Sequence, residues 1–119
     1  VIMNRVRSNK YPNTVCGVVH QGPISRWWKV KHNKEVPIRN RCQFSYYCDG
    51  KSDDISRWEQ THTWQQVLRA TIYVLDTNIE LSAFNITNGA THYHANYVNP
   101  HWSKYLKQTI QVQDHIFYK

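Results

Sequence analysis

The stretch Thr91-His92-Tyr93-His94-Ala95-Asn96-Tyr97-Val98 decides the fold. Its side chains alternate, with Thr91, Tyr93, Ala95 and Tyr97 on one face and His92, His94, Asn96 and Val98 on the other. A period of two is the mark of an extended strand, because successive Cβ atoms point to opposite sides of the pleat. Asn88-Gly89 supplies a turn before this strand, and Pro100 ends it because proline has no N–H to give a ladder. A short helix or turn is expected around Trp102–Lys107. Ile110 and Val112, then Ile116 and Tyr118, predict a closing antiparallel strand pair or one bent strand.

Upstream the period changes to that of a helix. Ile2 and Val6 lie four apart, as on the last turns of a helix that Ser8-Asn9-Lys10 and Pro12 stop. The chain opens at Val1 in mid-pattern, so the N-terminal helix is expected to be truncated and the chain to be a fragment or processed product. Asn13 or Thr14 can cap a second short helix with Val15, Val18 and Val19 as its buried stripe, ended by Gly22-Pro23. Residues 22–41 are expected to be a long basic loop holding Trp27-Trp28 and Pro37. A helix is predicted from about Ile55 to Leu75, with Trp64, Val67, Leu68, Thr71 and Leu75 on one stripe. Residues 76–89 form a polar connection. Several helices and a short antiparallel sheet make the class α+β, in one domain over residues 1–119.

With 119 residues the core can bury roughly two-thirds of the unfolded chain's surface, which excludes multi-domain architectures and large α/β barrels. Hydrophobic content of 40% and a mean hydropathy of −0.70 suit a soluble globular chain. An aromatic content of 13% argues against disorder. No apolar run approaches the ~20 residues of a membrane span.

The net charge of +7 is unevenly placed. Residues 1–41 carry nine cations (Arg5, Arg7, Lys10, Arg26, Lys29, Lys31, Lys34, Arg39 and Arg41) against the single anion Glu35, so residues 42–119 hold −1. Such a face suits a polyanion, and it equally suits a solvated basic loop without a partner. Nucleic acid is the less favoured polyanion. The cations cluster in one loop, and no recognition helix or RNA-binding signature accompanies them.

Cysteines stand at 16, 42 and 48, without a CxxC pair for zinc. Cys42 can pair with Cys48 across a turn-ending segment, Cys16 can pair with either, and all three can stay reduced. His92, His94 and His115 could converge on zinc if adjacent strands brought them to one side. No carboxylate joins them at ligand spacing except Asp114, expected on the face opposite His115. No metal or other cofactor is therefore assigned. Asn85-Ile86-Thr87 matches a glycosylation acceptor, a frequent chance match.

Six segments in order resemble one family. They are Ile2-Met3-Asn4-Arg5-Val6; Tyr11-Pro12-Asn13-Thr14-Val15-Cys16-Gly17-Val18-Val19; Cys42-Gln43-Phe44-Ser45-Tyr46-Tyr47-Cys48-Asp49-Gly50; Gly89-Ala90-Thr91-His92-Tyr93-His94-Ala95; Val98-Asn99-Pro100-His101-Trp102; and His115-Ile116-Phe117-Tyr118. Together they resemble the SleB/CwlJ-type cell-wall hydrolases, which include the spore-cortex lytic enzymes. The resemblance implies a small lysozyme-like α+β domain that cleaves peptidoglycan glycan strands, in the spore enzymes as a lytic transglycosylase. It also implies an extracytoplasmic setting, associated with a spore, a phage virion or lysis. One raised-pKa glutamic acid would protonate the glycosidic oxygen, and the sugar's own 6-hydroxyl would capture the oxocarbenium centre.

The family's glutamate lies on a helix upstream of the Asn-Arg-Val motif, where this sequence begins, so no catalytic residue is assigned within the chain. Glu35, Glu59 and Glu80 do not occupy its position, and Asp49 is expected to form an Asx turn. The resemblance makes Gln43-Phe44-Ser45 and the segment from Ala90 to Ala95 walls of the substrate cleft. By chemistry, Gln43, Ser45, Thr91, His92 and His94 suit N-acetyl and hydroxyl groups, while Phe44, Tyr46, Tyr93 and Trp102 offer flat faces to a pyranose. The alternative for these aromatics is a place in the core, and Asn4-Arg5 is expected to be structural. Residues 22–41 match none of the segments and are read as an insertion whose Arg26, Lys29, Lys31 and Lys34 could hold an anionic wall polymer. A non-catalytic peptidoglycan-binding module is the alternative function.

Overall fold

A computed structural model describes residues 1–75 and 85–119. Its sheet has three antiparallel strands in the order β1-β3-β2: β1 (His92–Ala95), β2 (Gln108–Val112) and β3 (His115–Tyr118). Chain reversal at Gln113-Asp114, with Gln113 at φ 49°, makes β2 and β3 two strands rather than one bent strand. β1 then lies on the outer side of β3, pairing His92 with Tyr118 and Ala95 with His115. It is shorter than the alternation suggests. β3 begins at His115, so beyond Ala95 there is no partner, and Asn96 N–H closes the ladder by donating to Asp114 O at 2.7 Å. A 3-10 turn, His101–Tyr105, follows Pro100 and ends earlier than expected, because Lys107 already exchanges backbone hydrogen bonds with Lys119.

Four α-helices are present among the described residues. The first, α1 (Ile2–Val6), packs on α2 (Val15–Val19), whose Val18 is fully buried. Thr14 caps α2 by accepting a 3.0 Å hydrogen bond from Gly17 N–H, leaving Cys16 exposed and free. Gly17 has no room for a side chain: a Cβ there would fall 2.8 Å from Pro12 and from the Thr14 hydroxyl.

Part of the stretch read as a basic loop is helical: Arg26–His32 forms α3. The Ile24–Pro37 bridge brackets it, and Asn33 ends it in the left-handed conformation at φ 50°. None of its residues is buried, so no apolar stripe betrays it in the sequence.

The last helix, α4 (His62–Leu75), starts later than Ile55. Ser52, Asp54 and Trp58 close successive turns before it, and Thr61 then caps it through Trp64 N–H at 3.1 Å. Its face towards the body is Val67, Ala70, Thr71, Val74 and Leu75. Leu68 is not part of that face, and none of the residues of α4 is buried. Glu80 and most of the 76–89 connection lie outside the described residues.

α1 is tied to the turn before β1 by an amide network. Asn4 Nδ2 donates to Ala90 O at 2.7 Å and to Thr87 Oγ1 at 3.3 Å, while Asn85 Nδ2 donates to Asn4 Oδ1 at 2.8 Å. Thr109 Oγ1 donates to Thr87 O, which draws β2 into the same knot. The turn itself is Asn88-Gly89, both at positive φ, with Ala90 N–H returning to Thr87 O. The amide of Asn85, first residue of the glycosylation match, is thus occupied inside the molecule.

Candidate active site

Cys42 and Cys48 form a disulfide with Cα atoms 6.1 Å apart. It closes a tight loop whose 3-10 turn, Ser45–Cys48, buries Cys48 and leaves the Ser45 and Tyr46 side chains exposed. Gln43 N–H donates to Gln21 O at 2.9 Å, and Asn40 N–H to Cys48 O at 3.0 Å, so the loop is braced on both sides. Asp49 forms the expected Asx turn, accepting Lys51 N–H at 2.8 Å, and Gly50 at φ 78° completes it.

This loop faces β1 across a polar pocket of about 200 Å³, lined by Gln43, Phe44 and Ser45 with His92, Tyr93 and Trp102. Cys42 and Arg5 complete the wall. Segments about 50 residues apart in sequence therefore meet at one cavity. Tyr46 lies instead on a neighbouring apolar cleft of about 770 Å³ between α1, β1, β3 and α4, which Phe44 and Tyr93 also line. Thr91 and His94 line neither cavity. Thr91 is used through its carbonyl, which accepts from Arg5 Nε at 2.6 Å, and through its hydroxyl, 3.0 Å from His92 Nδ1.

His94 is engaged at both ring nitrogens, by Ala95 O and the Tyr118 hydroxyl, each at 2.9 Å. It stacks on Tyr118, and the edge of Trp102 packs against both rings. His94 thus props Trp102 rather than facing the pocket. Strand register places His115 on the Tyr93 face, away from His92 and His94, so the three imidazoles do not converge. Among the described residues no group of three or more His, Cys, Asp or Glu side chains could hold a metal.

Burial, and then the charge of Arg5, hold the His92 pKa below its ordinary value, so the imidazole is neutral at pH 7. Burial first, then Asp53 and Tyr93, push the Tyr46 hydroxyl upward. The residue that spacing alone misses is Arg5. It sits in a short helix beside apolar neighbours, yet it is 2% exposed and lines the pocket. Its place beside Asn4 in Asn-Arg-Val was the available signal.

The crystal structure of the catalytic domain of the Bacillus cereus SleB protein has the same fold, with a TM-score of 0.57 and 23% identity. The match covers 99% of this chain and 68% of that one. Comparison with curated proteins gives no match. A family model described as cell wall hydrolase matches residues 1–118, essentially end to end, and the chain belongs to the cell wall hydrolase family.

Proposed function

We propose that this domain cleaves the glycan strands of peptidoglycan, with the pocket between the Cys42–Cys48 loop and β1 as part of its substrate cleft. The observation that carries this is the meeting of Gln43, Phe44 and Ser45 with His92, Tyr93 and Trp102 around one cavity, in a chain of the cell wall hydrolase family. Phe44 and Trp102 provide flat apolar surfaces for the C–H face of a pyranose, and Gln43 and Ser45 provide amide and hydroxyl groups for N-acetyl and hydroxyl substituents. Neutral His92 has one ring nitrogen at Thr91 and offers the other to a neutral sugar.

Among the described residues no Asp or Glu lines either cavity. The general acid is accordingly proposed to be a glutamate on a segment preceding Val1 in a longer protein. That group would protonate the glycosidic oxygen, and either the 6-hydroxyl of the same sugar or a water would take the cationic centre. The exposed cations of α3 and its flank, Arg26, Lys29, Lys31 and Lys34, are proposed to attract anionic wall polymers, on an insertion that works outside the wall-facing membrane of a bacterium, a spore or a phage-infected host.

The test is digestion of purified peptidoglycan by an upstream-extended, Glu-bearing protein, with products read by mass spectrometry. Anhydro-muramic ends identify a transglycosylase and new reducing ends a hydrolase. Intact glycan overturns the enzymatic reading. Retention on sacculi without cleavage by that extended protein identifies a binding module, a reading favoured by the absence of a carboxylate among the described lining residues.

A further inference from the structure

Arg5 presents an unbalanced charge. Its side chain is 2% exposed, and buried cations are normally held by a carboxylate, since an unpaired charge in a low-dielectric site is costly. Among the described residues the ion pair is Lys29–Glu35, on the surface hairpin around α3, and no acid reaches Arg5. What Arg5 has is one hydrogen bond, Nε to Thr91 O at 2.6 Å, and two aromatic faces. The guanidinium carbon lies 5.0 Å from the Tyr11 ring centroid and 5.3 Å from that of Phe44. These orient the planar group and offset part of its desolvation, but they accept none of the protons on the terminal nitrogens. Arg5 is nonetheless among the residues that line the pocket, so part of its side chain borders that space. Arg5 lines the pocket beside a His92 that is neutral and cannot share or repel the charge.

We propose that the pocket is a carboxylate subsite, in which the Arg5 guanidinium receives a carboxylate of the glycan substrate while Ser45 and Gln43 meet its neighbouring polar groups. A planar cation fixed at Nε offers its remaining edge for a paired contact with carboxylate oxygens, a geometry that lysine cannot reproduce. The proposal rests on the peptidoglycan reading above. Two carboxylates of that polymer carry this chemistry: the free lactyl carboxylate of a strand stripped of peptide, and the carboxylates of a stem peptide.

The experiment compares acids with their methyl esters. The full chain is titrated, with tryptophan fluorescence as the readout, with a peptide-free disaccharide ending in muramic acid and with its ester. It is also titrated with a stem-bearing disaccharide and its ester. A charge-assisted contact predicts at least about a tenfold weaker Kd for the ester in one of the two pairs. Preference in the peptide-free pair assigns the lactyl group, and preference in the stem-bearing pair alone assigns the peptide. Equal affinity for acid and ester in both pairs overturns the subsite while leaving the peptidoglycan reading intact. Binding of no sugar at all overturns both. Arg5→Gln, checked for folding by circular dichroism, should bind acid and ester alike. Persistence of the preference in the folded variant also overturns the proposal, and the comparison on the unmodified chain holds even if that variant does not fold.

Discussion

Replacing Asn4 by alanine should cost about 3 kcal/mol of folding stability. The side chain makes two short hydrogen bonds, to Ala90 O at 2.7 Å and from Asn85 Nδ2 at 2.8 Å, plus a longer one to Thr87 Oγ1 at 3.3 Å. The two short bonds contribute about 1 kcal/mol each. Ala90 is fully buried, and leaving its carbonyl without the amide adds roughly 1 kcal/mol of unrecovered desolvation. Equilibrium unfolding in urea, followed by tryptophan fluorescence, should place the midpoint lower by roughly 1.5–2 M at an ordinary m-value. Asn4→Asp separates the components: it keeps the acceptor for Asn85 but turns a carboxylate towards Ala90 O, and should be at least as destabilised as alanine. A midpoint shift below about 0.3 M for Asn4→Ala, with m unchanged, would show that the network does not hold α1 to the sheet.

Opening the Cys42–Cys48 bond by Cys48→Ser should cost roughly 2 kcal/mol, the chain entropy of so short a loop, whereas Cys16→Ser at its exposed site should leave the urea midpoint where it is. His92 should make stability pH-dependent. Its folded pKa lies below the unfolded value near 6.5, so the unfolded chain binds the extra proton first; the stabilisation is full above about pH 6.5 and is lost as pH falls below it. His92→Asn should flatten that part of a midpoint-versus-pH curve, and an unchanged slope would refute the assignment. Glu35→Gln and Glu59→Gln should leave glycan cleavage by an extended, active protein unaltered. Glu35 is paired with Lys29 on the surface, and neither acid lines a cavity. A fall of tenfold or more in either variant would place the general acid within this chain.

The sheet was legible because alternation is a one-dimensional record of a two-faced surface: assigning His92 and His94 to one side already put them where Tyr118 and Trp102 pack. Thr14 was legible for a similar reason, since a cap is a local matter of one hydroxyl and an N–H three residues on. α3 was not. A helix with no buried residue carries no stripe, and only Asn33, which can end a helix in the left-handed region, marked its boundary. α4 begins at His62 rather than near Ile55 because Ser52, Asp54 and Thr61 draw the preceding backbone into turns, a local competition that the stripe from Trp64 onward does not reveal. The pocket was legible in pieces. The family resemblance makes 43–45 and 90–95 walls of one cleft. Of these, Gln43, Phe44, Ser45, His92 and Tyr93 share a cavity while Thr91 and His94 do not. No spacing reveals that a helix at residue 5 reaches the same cavity. The expectation that Asn4-Arg5 is structural agrees with the bond from Arg5 Nε to Thr91 O, while His94 is drawn away from the pocket because Tyr118, 24 residues on, takes its Nε2.

Five of the nine cations in residues 1–41 therefore fall into two kinds. Arg26, Lys29, Lys31 and Lys34 ride on exposed backbone, where a counter-charge is felt through water and screened within about 8 Å at physiological ionic strength. Arg5 is held between Tyr11 and Phe44 under the pocket, where water is largely excluded and the same charge acts more strongly over a shorter reach. The first set can gather a polyanion without regard to its shape. If the pocket is the proposed carboxylate subsite, the second acts only on a group that fits beside Trp102 and Ser45, and discrimination among anions would belong to Arg5. Phe44 couples that discrimination to the rest of the fold: it packs against the guanidinium on one side and lines the apolar cleft on the other, with Tyr93 sharing both walls. Whatever packs against α1 and α4 in that cleft consequently bears on the two rings that separate it from the pocket, and through Phe44 on the position of the one cation the pocket contains.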